Sequence, residues 1–282
     1  MLYPDANSWR TAPRKSVMFF GMSGLGKTHV SKMLVQQGGW FHYSVDYRIG
    51  TSGMYGHIKD NLIAHAMREP FLRDMLRADA IYLEPNVHDH DLSAVAAYLG
   101  KPGNPELGGL PVAEYTRRQS QFREAEIAAL VDTAAFMARA QELYGYPHFI
   151  CDTGGSICEW IDPQDAQDPL LEQLSQQCLP VWIKGTQAHS EDLIRRFDRA
   201  PKPMAYHPEF LARVWTQYLS ENNMQEGDVN PDAFIRWTYA QALAHRQPRY
   251  AAMARSGITV TAEEMHAATT SAAFDDLVAS KL

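Results

Sequence analysis

Residues Gly21–Thr28 carry the most specific chemical motif of the sequence. They read GMSGLGKT, which matches the phosphate-binding pattern G-x-x-x-x-G-K-[ST] at every fixed position. Glycines in such a loop let successive backbone N–H groups point at phosphate oxygens, and the following helix adds its positive end. Lys27 can reach the β- and γ-phosphates, and the Thr28 hydroxyl can bind Mg²⁺. The motif therefore predicts that the chain binds ATP and Mg²⁺.

The residues expected to contact the nucleotide are the loop and the first helical positions. They are Gly21, Met22, Ser23, Gly24, Leu25, Gly26, Lys27, Thr28 and His29.

A carboxylate for the metal follows a later apolar segment. Phe149-Ile150-Cys151 ends in Asp152, and an acid at the end of a strand can serve the Mg²⁺ of a phosphate-binding loop. The alternative is an aspartate that only caps the turn at Gly154-Gly155. Thr153 stands where motor-type ATPases often have a glutamate that polarises water, which favours transfer over hydrolysis. Thr28 and Asp152 are the predicted metal ligands.

Four further segments contain residues suited to hold a phosphate acceptor. Asp46 lies in SVDYRIG, Arg123 lies in FREAE, Asp152–Ser156 reads DTGGS, and Arg246 lies in RQPRY. Together with the loop, these segments resemble shikimate kinase, a small P-loop kinase related to the nucleoside monophosphate kinases. The resemblance extends from Ser16 to Val260, apart from an insertion.

The resemblance implies a role for each matched residue. Asp46 would hold the acceptor hydroxyl and help to deprotonate it, and it would form the catalytic pair with Lys27. Arg123 and Arg246 would bind the carboxylate of the acceptor. Arginine suits that task because its planar fork of donors can pair with both oxygens of a carboxylate. The alternative for both arginines is a solvent-facing position on a helix.

Two more elements follow from the same resemblance. Gly154 and Gly155 would bring the backbone close to the acceptor, the alternative being a tight turn between a strand and a helix. Arg195 or Arg196 would contact ATP from a mobile lid over Arg195–Met204. A lid that closes over the site would keep water from competing with the acceptor.

The sequence also departs from the shikimate kinase pattern. Ser44 stands where that family has an aspartate that serves the metal, and Ser156 replaces a third glycine. Lys202 replaces an arginine of the lid. These departures argue against shikimate itself as the acceptor and leave the kinase chemistry in place. They also indicate that the acidic partner of the metal has moved from the second strand to Asp152 on the third.

The hydrophobic pattern predicts the elements that position these residues. Short apolar runs predict five strands, at Ser16–Phe20, Trp40–Val45, Pro147–Cys151, Leu179–Lys184 and Gly257–Val260. Helical spacing is found at Lys27–Gln37, Tyr55–Ala78, Val112–Leu143, Ser190–Asp198, His207–Glu221 and Asp232–His245. Alternation of strands and helices predicts an α/β fold, namely a P-loop kinase with a five-stranded parallel sheet flanked by helices, plus a helical insertion.

The length of the chain predicts additions to a kinase core. The stretch between Val45 and Pro147 is far longer than one crossover helix requires. We predict a single domain over residues 1–282. A helical insertion over 52–110 would cap the acceptor side, and a lid with extra helices would occupy 185–231.

Composition excludes several other classes of protein. The net charge of −7, from 33 acidic and 26 basic residues, argues against nucleic-acid binding. No apolar run is long enough to span a membrane. Three cysteines are too few for a disulfide framework. These features, with a polar first segment, predict a cytoplasmic protein.

These observations predict an ATP- and Mg²⁺-dependent kinase that phosphorylates a hydroxyl of a small anionic metabolite. One alternative is a kinase of a nucleotide or nucleotide sugar. Another is a P-loop ATPase or ATP-binding switch whose extra helices bind a protein partner. The segment His88–Asp91 reads HDHD and contains metal-binding residue types, but a solvated turn before the next helix fits it better.

Overall fold

A computed structural model of the chain describes residues 1–88, 91–162, 165 and 168–282. Asp89 and His90 of the HDHD segment lie outside the described residues. The chain divides into two compact units. The first comprises Met1–Val45, Ala129–Pro201 and Arg236–Leu282, and the second comprises Asp46–Ala128 and Lys202–Ile235. The single domain with an insertion at 52–110 and a lid at 185–231 stays a prediction.

The first unit contains a parallel sheet, with five strands among the described residues. They are β1 Ser16–Phe20, β2 Trp40–Ser44, β3 His148–Asp152, β4 Leu179–Lys184 and β5 Ile258–Thr261. Their order across the sheet is β2-β3-β1-β4-β5, and every neighbouring pair is parallel. All residues of β1 are buried, as expected for a central strand covered on both faces. The predicted α/β fold with a parallel sheet and flanking helices is confirmed.

The α-helices of the described residues run in this order along the chain: α1 Ala6–Thr11, α2 Lys27–Gln37, α3 Val45–Arg48, α4 Tyr55–Ala66, α5 Pro70–Arg77, α6 Ser93–Leu99, α7 Val112–Val131, α8 Thr133–Glu142, α9 Ile157–Trp160, α10 Pro169–Gln177, α11 Gln187–Arg199, α12 Pro208–Asn222, α13 Pro231–Met253, α14 Ala262–Ala267 and α15 Ser271–Ala279. None of these described helices combines the length and the apolar composition that crossing a bilayer requires.

Two long helical patterns are each divided into two helices. The pattern Val112–Leu143 forms α7 and α8, which are separated at Asp132. The pattern Tyr55–Ala78 forms α4 and α5, and the interruption comes just before Pro70. Glu69 has extended backbone angles, φ −86° and ψ 117°, because a proline ring disfavours the helical conformation of the residue before it.

Helix α13 is longer than predicted, since it continues past His245 through Pro248 to Met253. A proline inside a helix removes one backbone hydrogen bond. Side chains of the same stretch offset this loss by forming hydrogen bonds to the segment around α9. Arg249 donates to Cys158 O and Ile161 O, at 2.6 and 2.9 Å.

Aromatic packing on the sheet anchors both ends of the chain in the first unit. Trp9 of α1 is fully buried, although the sequence pattern predicted no element there. The ring of Phe274, on α15, lies 6.4 Å from Trp9, 5.8 Å from Phe19 and 5.9 Å from Trp40. These edge-to-face contacts hold α1 and α15 against β1 and β2.

The second unit is helical, and its loop over Lys101–Leu110 is firmly held. Asn104 N donates to Val229 O at 2.8 Å, and Lys101 pairs with Asp232 at 2.5 Å. Close packing recurs elsewhere in this unit. A Cβ atom at Gly53 would lie 2.4 Å from that of Ala125, so the backbone before α4 contacts α7 directly.

Candidate functional site

The order of the strands places a topological switch point at the carboxyl end of β1. β1 lies between β3 and β4. From β1 the chain crosses past β3 to β2. From β3 it crosses in the opposite direction along the sheet, past β1, to β4. Because such crossovers are right-handed, reversed connections lie on opposite faces of the sheet and leave a ligand-sized gap between them. The loop that begins at Gly21 follows β1 at this point.

The backbone of the loop has positive φ at three of its glycines. Gly21, Gly24 and Gly26 have φ values of +136°, +82° and +97°. A Cβ atom at Gly21 would lie 2.6 Å from Ile183 O of β4, so a larger residue would push the loop away from the sheet. Gly26 caps α2, and no side chain caps that helix end. The N-terminal end of a helix is a favourable position for an anion.

The Lys27 side chain folds back over the loop. Its Nζ donates to Gly21 O at 2.9 Å and to Met22 O at 3.1 Å. The residue is 8 % exposed, so its charge lies in a partly desolvated position where electrostatic attraction to phosphate is strong. Ser23, Gly24, Thr28 and His29 are exposed on the outer side of the same loop.

The two predicted metal ligands lie together. Thr28 Oγ1 donates to Asp152 Oδ2 at 3.0 Å, although the residues are 124 positions apart. Two oxygens on neighbouring corners of an octahedral Mg²⁺ shell, each about 2.05 Å from the ion, lie about 2.9 Å apart. Hydroxyl and carboxylate oxygens are also the ligand type that Mg²⁺ prefers. The oxygen pair therefore suits Mg²⁺ in both chemistry and spacing.

The register of the sheet places Ser44 beside Asp152. Ser44 of β2 and Asp152 of β3 are Cα partners, and Asp152 is in turn the partner of Phe19 on β1. Adjacent strands lie about 4.8 Å apart. A carboxylate on β3 therefore stands one strand away from position 44, at the same level of the sheet.

Thr153 forms hydrogen bonds to the neighbouring strand β1. Its hydroxyl donates to Phe19 O at 2.8 Å, and its backbone N donates to the same oxygen at 3.2 Å. The side chain is almost completely buried. The residue after Asp152 thus joins β3 to β1.

The Gly154-Gly155 turn lies against the loop. A Cβ atom at Gly155 would be 3.1 Å from Ser23 Oγ and 3.6 Å from Ser23 N. The Tyr250 hydroxyl of α13 donates to Gly155 O. The turn is therefore held between the glycine-rich loop and α13.

Arg246 forms a buried ion pair with Glu159. Its Nε donates to Glu159 Oε1 at 2.7 Å, and His245 Nε2 lies 3.3 Å from Glu159 Oε2. Burial by itself raises the pKa of Glu159, but the charge of Arg246 and the hydrogen bonds from His245 and Arg246 outweigh it and lower the pKa to about 2. Glu159 is thus ionised at neutral pH. The predicted contact of Arg246 with an acceptor carboxylate stays a prediction.

Arg195 and Arg196 lie on α11, beside the loop. Both pair with Asp192, at 3.3 and 2.5 Å, and both side chains are more than half exposed. Leu193 of the same helix would be 3.2 Å from a Cβ atom at Gly24. The helix therefore contacts the loop, and the predicted contact of an arginine with ATP stays a prediction.

His29, the last of the predicted nucleotide contacts, stacks on a second imidazole. Its ring lies 5.8 Å from that of His266 on α14.

Asp46 and Arg123 belong to the second unit. Asp46 lies in α3, two residues after the end of β2, and Arg123 is exposed on α7. Their predicted roles with an acceptor stay predictions.

The cysteines of the first unit are inert. Burial raises the pKa of Cys151 and of Cys158 to about 12, and it raises that of Cys178 well above its ordinary value. Protonated thiols are poor nucleophiles. Among the described residues, no cluster of three or more histidine, cysteine, aspartate or glutamate side chains could hold a metal ion.

Sequence reasoning missed two polar residues of this region. His42 Nε2 lies 3.3 Å from Asp152 Oδ2, and its two-residue spacing from Ser44 was the signal that both share a face of β2. Glu159 is the partner of Arg246. A single acid in the apolar stretch SICEW was the available signal for a buried partner.

Together the fold and these residues define an α/β protein with a glycine-rich, lysine-bearing loop at the carboxyl edge of a parallel sheet. No protein-family model matches the chain, and neither a curated protein nor a solved structure matches it significantly. Its function is therefore argued from the geometry of this site.

Proposed function

We propose that the chain is a P-loop kinase that binds ATP and Mg²⁺ and transfers the γ-phosphate to a hydroxyl group of a small anionic metabolite. The observation that carries the proposal is the contact between Thr28, which follows Lys27, and Asp152 at the carboxyl edge of the sheet. Lys27 and Thr28 begin α2 directly after the glycine-rich loop, and Asp152 ends β3. Thr28 and Asp152 are in direct hydrogen-bond contact.

The loop supplies the groups that would bind the triphosphate. Its positive-φ glycines and the uncapped start of α2 can present several N–H donors to phosphate oxygens. Lys27 Nζ now donates to two carbonyl groups of its own loop and would turn to the β- and γ-phosphates. Charge neutralisation by these groups lowers the barrier to phosphoryl transfer.

Thr28 and Asp152 would hold the metal. A hydroxyl can donate its proton to a carboxylate while a lone pair remains for a cation, so the Thr28–Asp152 hydrogen bond is compatible with metal binding. Bound Mg²⁺ supplies positive charge to the phosphates. The chain's own part is to aim the Thr28 oxygen and to hold the Asp152 carboxylate beside it.

The residues that would bind the acceptor are proposed from the shikimate kinase resemblance and from one contact of the glycine-rich loop. The Gly154-Gly155 turn contacts Ser23 of the loop, so an acceptor bound at this turn would lie near the phosphates. Asp46 would hold the attacking hydroxyl and take its proton, and Arg123 would bind the anionic group of the acceptor.

The environment of Thr153 favours transfer over hydrolysis. Its hydroxyl donates a hydrogen bond to Phe19 O. A threonine cannot polarise water as the glutamate of motor-type ATPases does. An ATPase or ATP-binding switch with a protein partner remains the main competing function, and a kinase of nucleotides or nucleotide sugars is the competing acceptor class.

The experiment that tests the proposal combines γ-labelled ATP with pools of small hydroxylated metabolites and follows the label. We expect transfer to an anionic metabolite, with little release of free phosphate. Asp46→Ala should abolish labelling of the acceptor while ATP binding persists. Asp60→Ala, an exposed aspartate on α4, is the matched control and should be active.

Three results would contradict the proposal. Binding of no nucleotide would remove its basis. Equal ATP hydrolysis with every pool, unaffected by Asp46→Ala, would favour the ATPase. Transfer only to nucleotides or nucleotide sugars would replace the acceptor class.

A further inference from the structure

His42 is a partly buried side chain on β2, next to the proposed metal site. Its ring is 14 % exposed, and Nε2 lies 3.3 Å from Asp152 Oδ2. Residues two apart on a strand point to the same face, so His42 and Ser44 share the face on which Asp152 lies. No motif of the sequence singles out this histidine.

The same carboxylate oxygen receives a second donor. Thr28 Oγ1 lies 3.0 Å from Asp152 Oδ2 and donates its proton to it. Carboxylate oxygens accept hydrogen bonds, so the imidazole tautomer with its N–H at Nε2 would donate to Asp152 Oδ2. Two donors on Oδ2 restrict rotation of the Asp152 carboxylate, which is itself only 7 % exposed.

We infer that His42 is a positioning residue for the metal ion, acting through Asp152. The imidazole holds the carboxylate, the carboxylate accepts the hydrogen bond of the Thr28 hydroxyl, and a Thr28 lone pair is thereby aimed at the cation. This inference rests on the proposed function, since it needs ATP and a divalent ion at the loop. Loss of an outer-sphere partner typically weakens metal binding by about 10- to 100-fold.

The test measures how strongly a divalent ion tightens nucleotide binding. A non-hydrolysable ATP analogue is titrated into the full chain by calorimetry, once in EDTA and once with saturating Mn²⁺ as the probe ion. His42→Leu replaces the imidazole by an apolar side chain of similar size that has no N–H donor. His42→Gln places an amide N–H near the position of imidazole Nε2.

We expect His42→Leu to reduce the Mn²⁺-dependent gain in analogue affinity by about 10-fold, with binding in EDTA unchanged. His42→Gln should recover most of the gain. His148→Leu is the matched control, since it removes a partly buried imidazole at the amino edge of the same sheet. It should keep the full metal-dependent gain even if it lowers the melting temperature.

If His42→Leu kept the full Mn²⁺-dependent increase in analogue affinity, the inference would be overturned. Equal losses in His42→Leu and His42→Gln would also overturn it, because they would indicate a packing role. Both results leave the proposed function intact as long as the unaltered chain binds the analogue more tightly with Mn²⁺. If the unaltered chain binds no analogue, the proposed function and this inference both fail.

Discussion

Arg246 and Glu159 form an ion pair in the interior of the first unit, 87 positions apart in the chain. Both residues are less than 5 % exposed. A buried ion pair contributes little net stability relative to apolar packing, but removal of one partner leaves an uncompensated charge. The pair joins α13 to α9, directly after the Gly154-Gly155 turn.

Arg246→Ala should therefore be strongly destabilising. We expect the free energy of unfolding to fall by about 3–5 kcal/mol, as measured by urea denaturation at pH 7. The double variant Glu159→Leu/Arg246→Met removes both charges and should recover most of that loss. A single variant as stable as the unaltered chain would show that the pair does not support α9.

Acid should weaken this region in a defined pH window. The pKa of Glu159 is lowered from its ordinary value of 4.5 to about 2 in the folded chain. Its contribution is thus fully present above about pH 4.5 and is lost as the pH falls toward 2. The shift corresponds to roughly 3 kcal/mol. Urea denaturation at pH 5, 4 and 3 should show a smaller loss of stability for Glu159→Gln than for the unaltered chain. Parallel pH profiles would contradict the lowered pKa.

Lys27→Met should separate binding from transfer. The change removes the charge and keeps most of the apolar stem. We expect ATP affinity to fall about 10-fold and phosphoryl transfer to fall by about 10²- to 10³-fold, because the proposed role of the lysine is to stabilise charge that develops in the transition state. Lys32→Met, which changes an exposed lysine five residues further along α2, is the control and should bind and transfer normally. Full transfer by Lys27→Met would be incompatible with the proposed role.

Asp152→Ala should raise the Mg²⁺ concentration needed for half-maximal transfer, by about 10-fold or more. An unchanged requirement would refute the metal role of Asp152. Because Ser44 is the register partner of Asp152, the carboxylate can also be moved back one strand. Ser44→Asp combined with Asp152→Ser should lower the Mg²⁺ requirement relative to Asp152→Ser alone. No such recovery would show that the two positions are not equivalent for the metal.

Local patterns in the sequence were sufficient for the strands and for the loop. β1, β4 and α2 have the predicted bounds, and the other strands deviate by one residue at one or both ends. Apolar runs and glycine spacing depend on neighbouring residues alone, so they are visible without a structure. The break between α4 and α5 at Pro70 is encoded locally as well, by the proline itself. The continuation of α13 through Pro248 is not encoded locally, since tertiary contacts from Arg249 and Tyr250 support it.

What the sequence determined by itself is the glycine-rich, lysine-bearing loop, the residue types of the proposed metal site, and the α/β class. Only the tertiary structure decided which strand lies beside which, and hence that Asp152 is next to Thr28 and His42. It also decided that Arg246 is paired with Glu159. These partners are 87 to 124 positions apart. Their contacts depend on strand order and helix packing, which arise from the burial of the whole core and leave no local pattern.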